Sequence, residues 1–116
     1  MMEKVVLFAF NGEIMCFVHA LLNVLDLEEK GFEPALVVEG QATALITKLA
    51  QPHNPMHSLY VKCKEKGLIH GVCRACAAKM KVLEEVKSQD LPILDNMSGH
   101  PSMADFIKKG YRVVTF

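Results

Sequence analysis

Short apolar runs with no internal period alternate along this chain with longer runs of helical period, and few folds accommodate that alternation. A strand apolar at every position has to be covered on both faces, which happens inside a parallel sheet flanked by helices. Residues 5–10 form such a run, ended by Asn11 and Gly12. Residues 34–38 and 68–72 are the second and third, and residues 111–116 read as the closing strand. The stretch 91–97 is ambiguous, with residues 93–95 as a possible short strand.

Helical period occupies the intervals. The first helix, about 13–30, is stopped by Gly31. The second opens at Glu39 and Gly40, carries Ala42, Leu45, Ile46 and Leu49, and is broken by the prolines at 52 and 55. A third spans about 56–66 and is closed by Gly67, a fourth runs from Cys73 to about Lys87, and the last begins near Pro101 and ends at Gly110. Pro101 suits a first helical position. The expected architecture is α/β, with βαβ units around a parallel sheet, and 116 residues are the length of one domain, residues 1–116.

The first helix is unusual. Ile14, Phe17, Val18, Leu21, Leu22 and Leu25 lie at the spacing of one buried face, yet Cys16, Ala20, Val24 and Leu27 fall on the other and no charge appears between Glu13 and Asp26. A helix apolar nearly all round is covered on both sides, so a subunit contact is expected there.

Charge excludes some functions. Thirteen basic residues balance thirteen acidic ones, and no Lys/Arg cluster is interleaved with aromatics, so the positive field of a nucleic-acid binder is missing. The uncharged stretch 14–25 is too short to span a bilayer, and Glu3, Asn11, Gly12 and Glu13 bracket the first apolar run, so neither a membrane span nor a signal peptide is read. A cytoplasmic protein is expected. In a reducing compartment its four cysteines are thiols, metal ligands or redox groups rather than a disulfide framework.

Ligand sites of parallel α/β sheets lie beyond the carboxyl ends of the strands, where the following helices present free N–H groups. Four loops meet at that edge: residues 11–13, 39–41, 73–76 and 98–100. Cys73 and Cys76 are therefore the candidate nucleophiles. A thiol at a helix start has its thiolate stabilised by the dipole, Arg74 and Lys79 add positive charge, and the Cys-x-x-Cys spacing lets one thiol attack a sulfur adduct on the other. Both also fit as small core residues, since free cysteine is often buried. Cys63 shares a face with Leu59 and Tyr60 and reads as core, while Cys16 could reach the same edge, a subunit contact or the interior.

Histidines offer less. His53 and His57 are spaced i, i+4, but Pro55 lies between them. His70, Cys73 and Cys76 form His-x-x-Cys-x-x-Cys, yet His70 falls within a strand and away from the loop, and a fourth ligand would have to come from Cys16 or His100. No metal or other cofactor is assigned on this basis.

The strand Gly-Leu-Ile-His-Gly-Val ending in Cys73, the apolar N-terminal strand with its Asn-Gly turn, and the C-terminal Lys-Lys-Gly-Tyr-Arg-Val-Val-Thr-Phe resemble the DsrE/DsrF-like family of sulfur-relay domains with the YchN-type fold. The resemblance implies a three-layer α/β/α sandwich on a five-stranded parallel sheet, assembled as homotrimers or hexamers. It also implies that the cysteine after the third strand, Cys73 by position, carries sulfur as a persulfide from a donor and hands it to an acceptor protein thiol. Cys76 departs from a single-thiol relay and enters as an assisting or resolving thiol. Asn11, Gly12, Glu39, Gly40 and Arg74 are the expected pocket. Two alternatives stay open: a dithiol redox protein, which thioredoxin-like chains resemble only locally, and a non-catalytic binding or assembly module in which His70, Cys73 and Cys76 hold zinc or merely pack.

Overall fold

The computed structural model describes residues 2–116. Strands β1 (Lys4–Ala9) and β2 (Glu33–Val38) run through its middle, with β3 (Ile69–Cys73), β4 (Ile93–Leu94) and β5 (Tyr111–Thr115) completing one sheet in the order β4-β3-β2-β1-β5. All pairings are parallel. The unbroken apolar runs follow from this, since Val6, Leu7 and Phe8 on β1 and Leu36, Val37 and Val38 on β2 are buried whichever face they take.

The chain steps one way across the sheet from β1 to β4, then crosses back to lay β5 against the free side of β1. Parallel crossovers keep one hand, so reversing the direction moves the connecting helix to the opposite face. Accordingly α1 (Ile14–Glu29), α2 (Thr43–Leu49), α3 (His57–Glu65), α4 (Arg74–Lys79) and α5 (Leu83–Ser88) contribute to one core, together with Leu7, Leu36 and Val72. The α6 helix (Met103–Lys108) covers the other face through Phe106, which packs edge-on against Phe8 with ring centroids 5.6 Å apart. Burying an aromatic of this kind contributes about 1.5–3 kcal/mol.

Several boundaries differ from expectation. The helix expected to run from Cys73 to Lys87 is two helices, because Lys81 takes φ +62° and the amides of Lys81 and Val82 turn back to the carbonyls of Ala78 and Ala77 at 3.1 and 2.9 Å. That is a Schellman termination with lysine in the place glycine usually holds. Pro101 lies outside α6; the cap is Ser102, whose hydroxyl accepts from the Asp105 amide at 3.3 Å. On α1 the buried residues are Phe17, Ala20, Leu21 and Val24, so Ala20 and Val24 face the sheet and not a partner, while Leu22 is exposed. With apolar residues nearly all round, period alone does not locate the buried arc, and the small Ala20 permits close approach to the sheet.

The β2–β3 register also slips once. Leu36 pairs with Ile69 but Val37 with Gly71, leaving His70 as the extra residue of a bulge. Among the described residues no helix is long and apolar enough to cross a membrane.

Candidate functional site

Three loops converge at the carboxyl edge of the sheet. β3 ends in Cys73, whose extended backbone (φ −62°, ψ 121°) makes it the N-cap of α4, and its Sγ accepts from the Cys76 amide at 3.4 Å. One turn of α4 then brings Cys76 alongside. Beyond β2, Glu39 anchors its own amide to the Ala9 carbonyl at 2.8 Å. Gly40 turns the chain at φ +53°, where a Cβ would stand 3.0 Å from the Phe10 carbonyl oxygen.

The third loop comes from the far side of the sheet. Met97 and His100 exchange backbone hydrogen bonds of 2.7 and 2.9 Å around Ser98 (φ +51°) and Gly99 (φ +89°), a tight turn that needs positive φ at both central residues. The Gly99 carbonyl accepts from the Ala75 amide at 2.9 Å, so a free amide of the first turn of α4 holds the hairpin. This aims His100 at the thiols. Its Nδ1 lies 3.2 Å from Cys73 Sγ, 3.8 Å from Cys76 Sγ and 3.9 Å from Glu39 Oε1. The donor atoms of Glu39, Cys73, Cys76 and His100 all fall within 4.8 Å of one another.

Burial governs the electrostatics. Cys73 is fully out of solvent, and loss of water pushes its thiol up to about 12; the Cys76 amide opposes this, while the neighbouring Cys76 thiol and Glu39 carboxylate add to it. The sequence predicts a thiol lowered by a helix dipole. A helix of six residues and one amide at 3.4 Å offer less to a thiolate than water removes. Glu39 is raised from the ordinary carboxylate range by burial, partly offset by His100 and by a hydrogen bond with Cys73. Cys76 is only half-buried and is the sulfur nearer solvent. Beside the cluster opens a cleft of about 450 Å³ lined by Phe10, Glu39, Met97, His100 and residues 101–104.

The other expected pocket residues lie elsewhere or act through the backbone. Arg74 is exposed and pairs with Asp95 at 3.7 Å. Asn11 Oδ1 accepts from the Glu13 amide at 2.7 Å, and Asn11 and Gly12 line a separate depression with Gln41, Lys48 and Met80. His70 turns onto Phe106, ring centroids 5.1 Å apart, and opens on another cleft with Asp95, Ser102, Asp105 and Lys109. Its pKa is lowered by burial and by Lys109. The set His70, Cys73 and Cys76 is therefore not assembled, in line with the position of His70 within a strand, and the imidazole beside the thiols is that of His100. His57 Nδ1 sits 2.8 Å from the Leu49 carbonyl oxygen, a local contact at a helix start. Cys63 is buried in the core with its thiol pushed up to about 11 by desolvation, and Cys16 is half-buried on α1. His100 was expected only as a possible fourth metal ligand and not as a catalytic or pocket residue, although its loop was placed at this edge; it is the one imidazole in that loop, and the Ser98-Gly99 turn was the available signal.

A parallel α/β sheet whose third strand ends in paired thiols, faced by an imidazole and a buried carboxylate, defines a thiol-centred domain. The chain matches the DsrE/DsrF-like family over residues 4–116 and belongs to that family. It is 33% identical over 96 residues to an uncharacterized protein of Methanocaldococcus jannaschii, covering 83% of this chain and 76% of that one. It is also 41% identical over 51 residues to an uncharacterized protein of Archaeoglobus fulgidus, covering 44% of this chain and 84% of the other. No solved structure matches it.

Proposed function

We propose that this chain is a one-domain sulfur carrier of a reducing compartment, in which Cys76 receives a sulfane sulfur and Cys73 is the resolving thiol. The observation carrying this reading is a pair of thiols within 4.8 Å of each other, with an imidazole nitrogen 3.2 and 3.8 Å from them, at the carboxyl edge of the sheet in a chain of the DsrE/DsrF-like family. The roles reverse the order expected from position alone, because Cys73 is buried with a strongly raised thiol pKa while Cys76 reaches toward solvent.

In loading, unprotonated Nδ1 of His100 accepts the Cys76 proton, and the thiolate attacks the outer sulfur of a donor persulfide. A new S–S bond forms on Cys76, and the donor leaves as its thiolate. In delivery, an acceptor thiolate takes the outer sulfur and restores the Cys76 thiolate. Where no acceptor is present, Cys73 attacks the inner sulfur and forms a Cys73–Cys76 disulfide, while the outer sulfur takes up the Cys73 proton and leaves as hydrogen sulfide; the two cysteine sulfurs supply the electrons, and a cellular thiol must then reduce the disulfide. Apolar Phe10, Met97 and Met103 line the cleft at the site and fit contact with a protein donor or acceptor.

Incubating the reduced protein with a small-molecule persulfide and weighing it intact tests the reading. The expected result is either a gain of one sulfur atom on Cys76 or, after resolution, the Cys73–Cys76 disulfide with loss of two hydrogens, and neither product forms in Cys76→Ser. Wild-type protein that gains no sulfur on either thiol and forms no Cys73–Cys76 disulfide overturns it.

A further inference from the structure

We infer that Glu39, Cys73, Cys76 and His100 form a binding site for one divalent transition metal, zinc by donor type. The inference stands on ligand geometry and does not depend on the sulfur-carrier reading. Two thiolates, an imidazole and a carboxylate make a mixed set that suits tetrahedral zinc, whereas hard cations prefer all-oxygen surroundings.

Distances agree. Zinc bond lengths of about 2.0–2.3 Å place the corners of a tetrahedron about 3.3–3.8 Å apart. Three edges of this cluster already measure 3.2, 3.8 and 3.9 Å, and no pair of donor atoms exceeds 4.8 Å. Closing the longest edges needs a contraction of about 1 Å, within reach of side-chain rotation. The ligands come from three separate loops, after β2, after β3 and before α6, so their convergence is not an accident of one helical turn.

Charge favours a cation as well. Glu39 is buried beside two thiols, and among the described residues the only basic side chain paired with it is the imidazole of His100 at 3.9 Å. A divalent ion lets both thiols ionise by supplying the opposing charge that the protein does not. Supporting contacts are present: the Cys76 amide donates to Cys73 Sγ at 3.4 Å, and the Ala75 amide fixes the hairpin that carries His100.

Anaerobic titration of reduced, metal-stripped protein with Co²⁺, followed by back-titration with Zn²⁺, tests the site. One equivalent of cobalt is expected to give the intense visible bands of tetrahedral coordination together with thiolate charge transfer, and zinc to abolish both. Cys76→Ser should roughly halve the charge-transfer intensity, as expected from losing one of two sulfur ligands. His100→Ala and Glu39→Gln should weaken zinc in competition with a chromophoric chelator by more than the roughly tenfold that loss of a supporting partner costs. His70→Ala and Cys63→Ser should leave binding unchanged. Cys73 is buried and its substitution threatens the fold, so Cys76 and His100 are the deciding positions, with circular dichroism confirming folded protein. A folded wild type without the tetrahedral spectrum, or with a spectrum that survives Cys76→Ser unchanged or responds to His70→Ala instead of His100→Ala, overturns the inference. Persulfide uptake is read on the metal-free protein by mass, so the two readings fail separately.

Discussion

Gly99 shows how much of the site depends on a residue with no functional group. Its φ of +89° is open to glycine and costly for any other residue, and an added methyl would stand 3.3 Å from the Ala75 Cβ. Gly99→Ala should therefore destabilise the protein by about 1–2 kcal/mol, read from the urea midpoint. It should also lower sulfur uptake in step, because the hairpin it distorts carries His100. Unchanged uptake in this variant would detach the imidazole from the chemistry. The thiol pair was legible because Cys-x-x-Cys is a local pattern after a readable strand. The contact of Cys73 with His100, 27 residues away, was not, since nothing local encodes which loops of an edge meet. Burial of Cys73 was equally hidden, because it depends on how α4 and the hairpin close over it.

At the level of elements, glycine and proline stops were readable and the stop at Lys81 was not. Gly31 and Gly67 end α1 and α3 with positive φ, as their positions implied. Lys81 ends α4 in the same conformation without a glycine to announce it, since the packing of Ala77 and Val86 under α4 and α5 imposes the turn. Lys81→Gly should raise stability by about 0.5–1 kcal/mol, the relief of left-handed strain less the greater freedom of glycine in the unfolded chain. A lower urea midpoint in this variant would show that the lysine side chain itself holds the break.

Over the whole molecule, the alternation of apolar and helical runs was enough to specify the sheet class and four of its strands, whereas β4 was ambiguous and the count of five came from the family resemblance. The outward face of α1 was misplaced, for Met15 and Leu22 are the exposed residues, 66% and 47% accessible, and not Ala20 and Val24. Self-association is expected to use that face. Met15→Lys combined with Leu22→Lys should give a monomer in sedimentation where wild type is larger, and a monomeric wild type would remove the expectation.

Two buried thiols set a further property of the whole fold. Cys63 and Cys73 are raised from an ordinary 9.0 to about 11 and about 12. Above 9.0 the unfolded chain loses these protons while the native state keeps them, so fewer protons are bound on unfolding and stability falls as pH rises. The contribution is complete below 9.0 and lost toward about 11 and 12. Urea midpoints measured across that range should decline, and Cys63→Ala should flatten the decline.

The reversal of direction between β4 and β5 separates custody of the reactive groups. Sulfur and carboxylate ride on the segments laid down before the chain turns back, whereas the imidazole arrives on the returning limb, which is moored by the Ala75 amide at the hairpin and by Phe106 of α6. Should that limb peel away while the rest stays folded, the thiols would lose both the cover of the hairpin and their proton acceptor. Hydrogen exchange faster around residues 97–108 than across β1 and β2 would expose such a disarmed form.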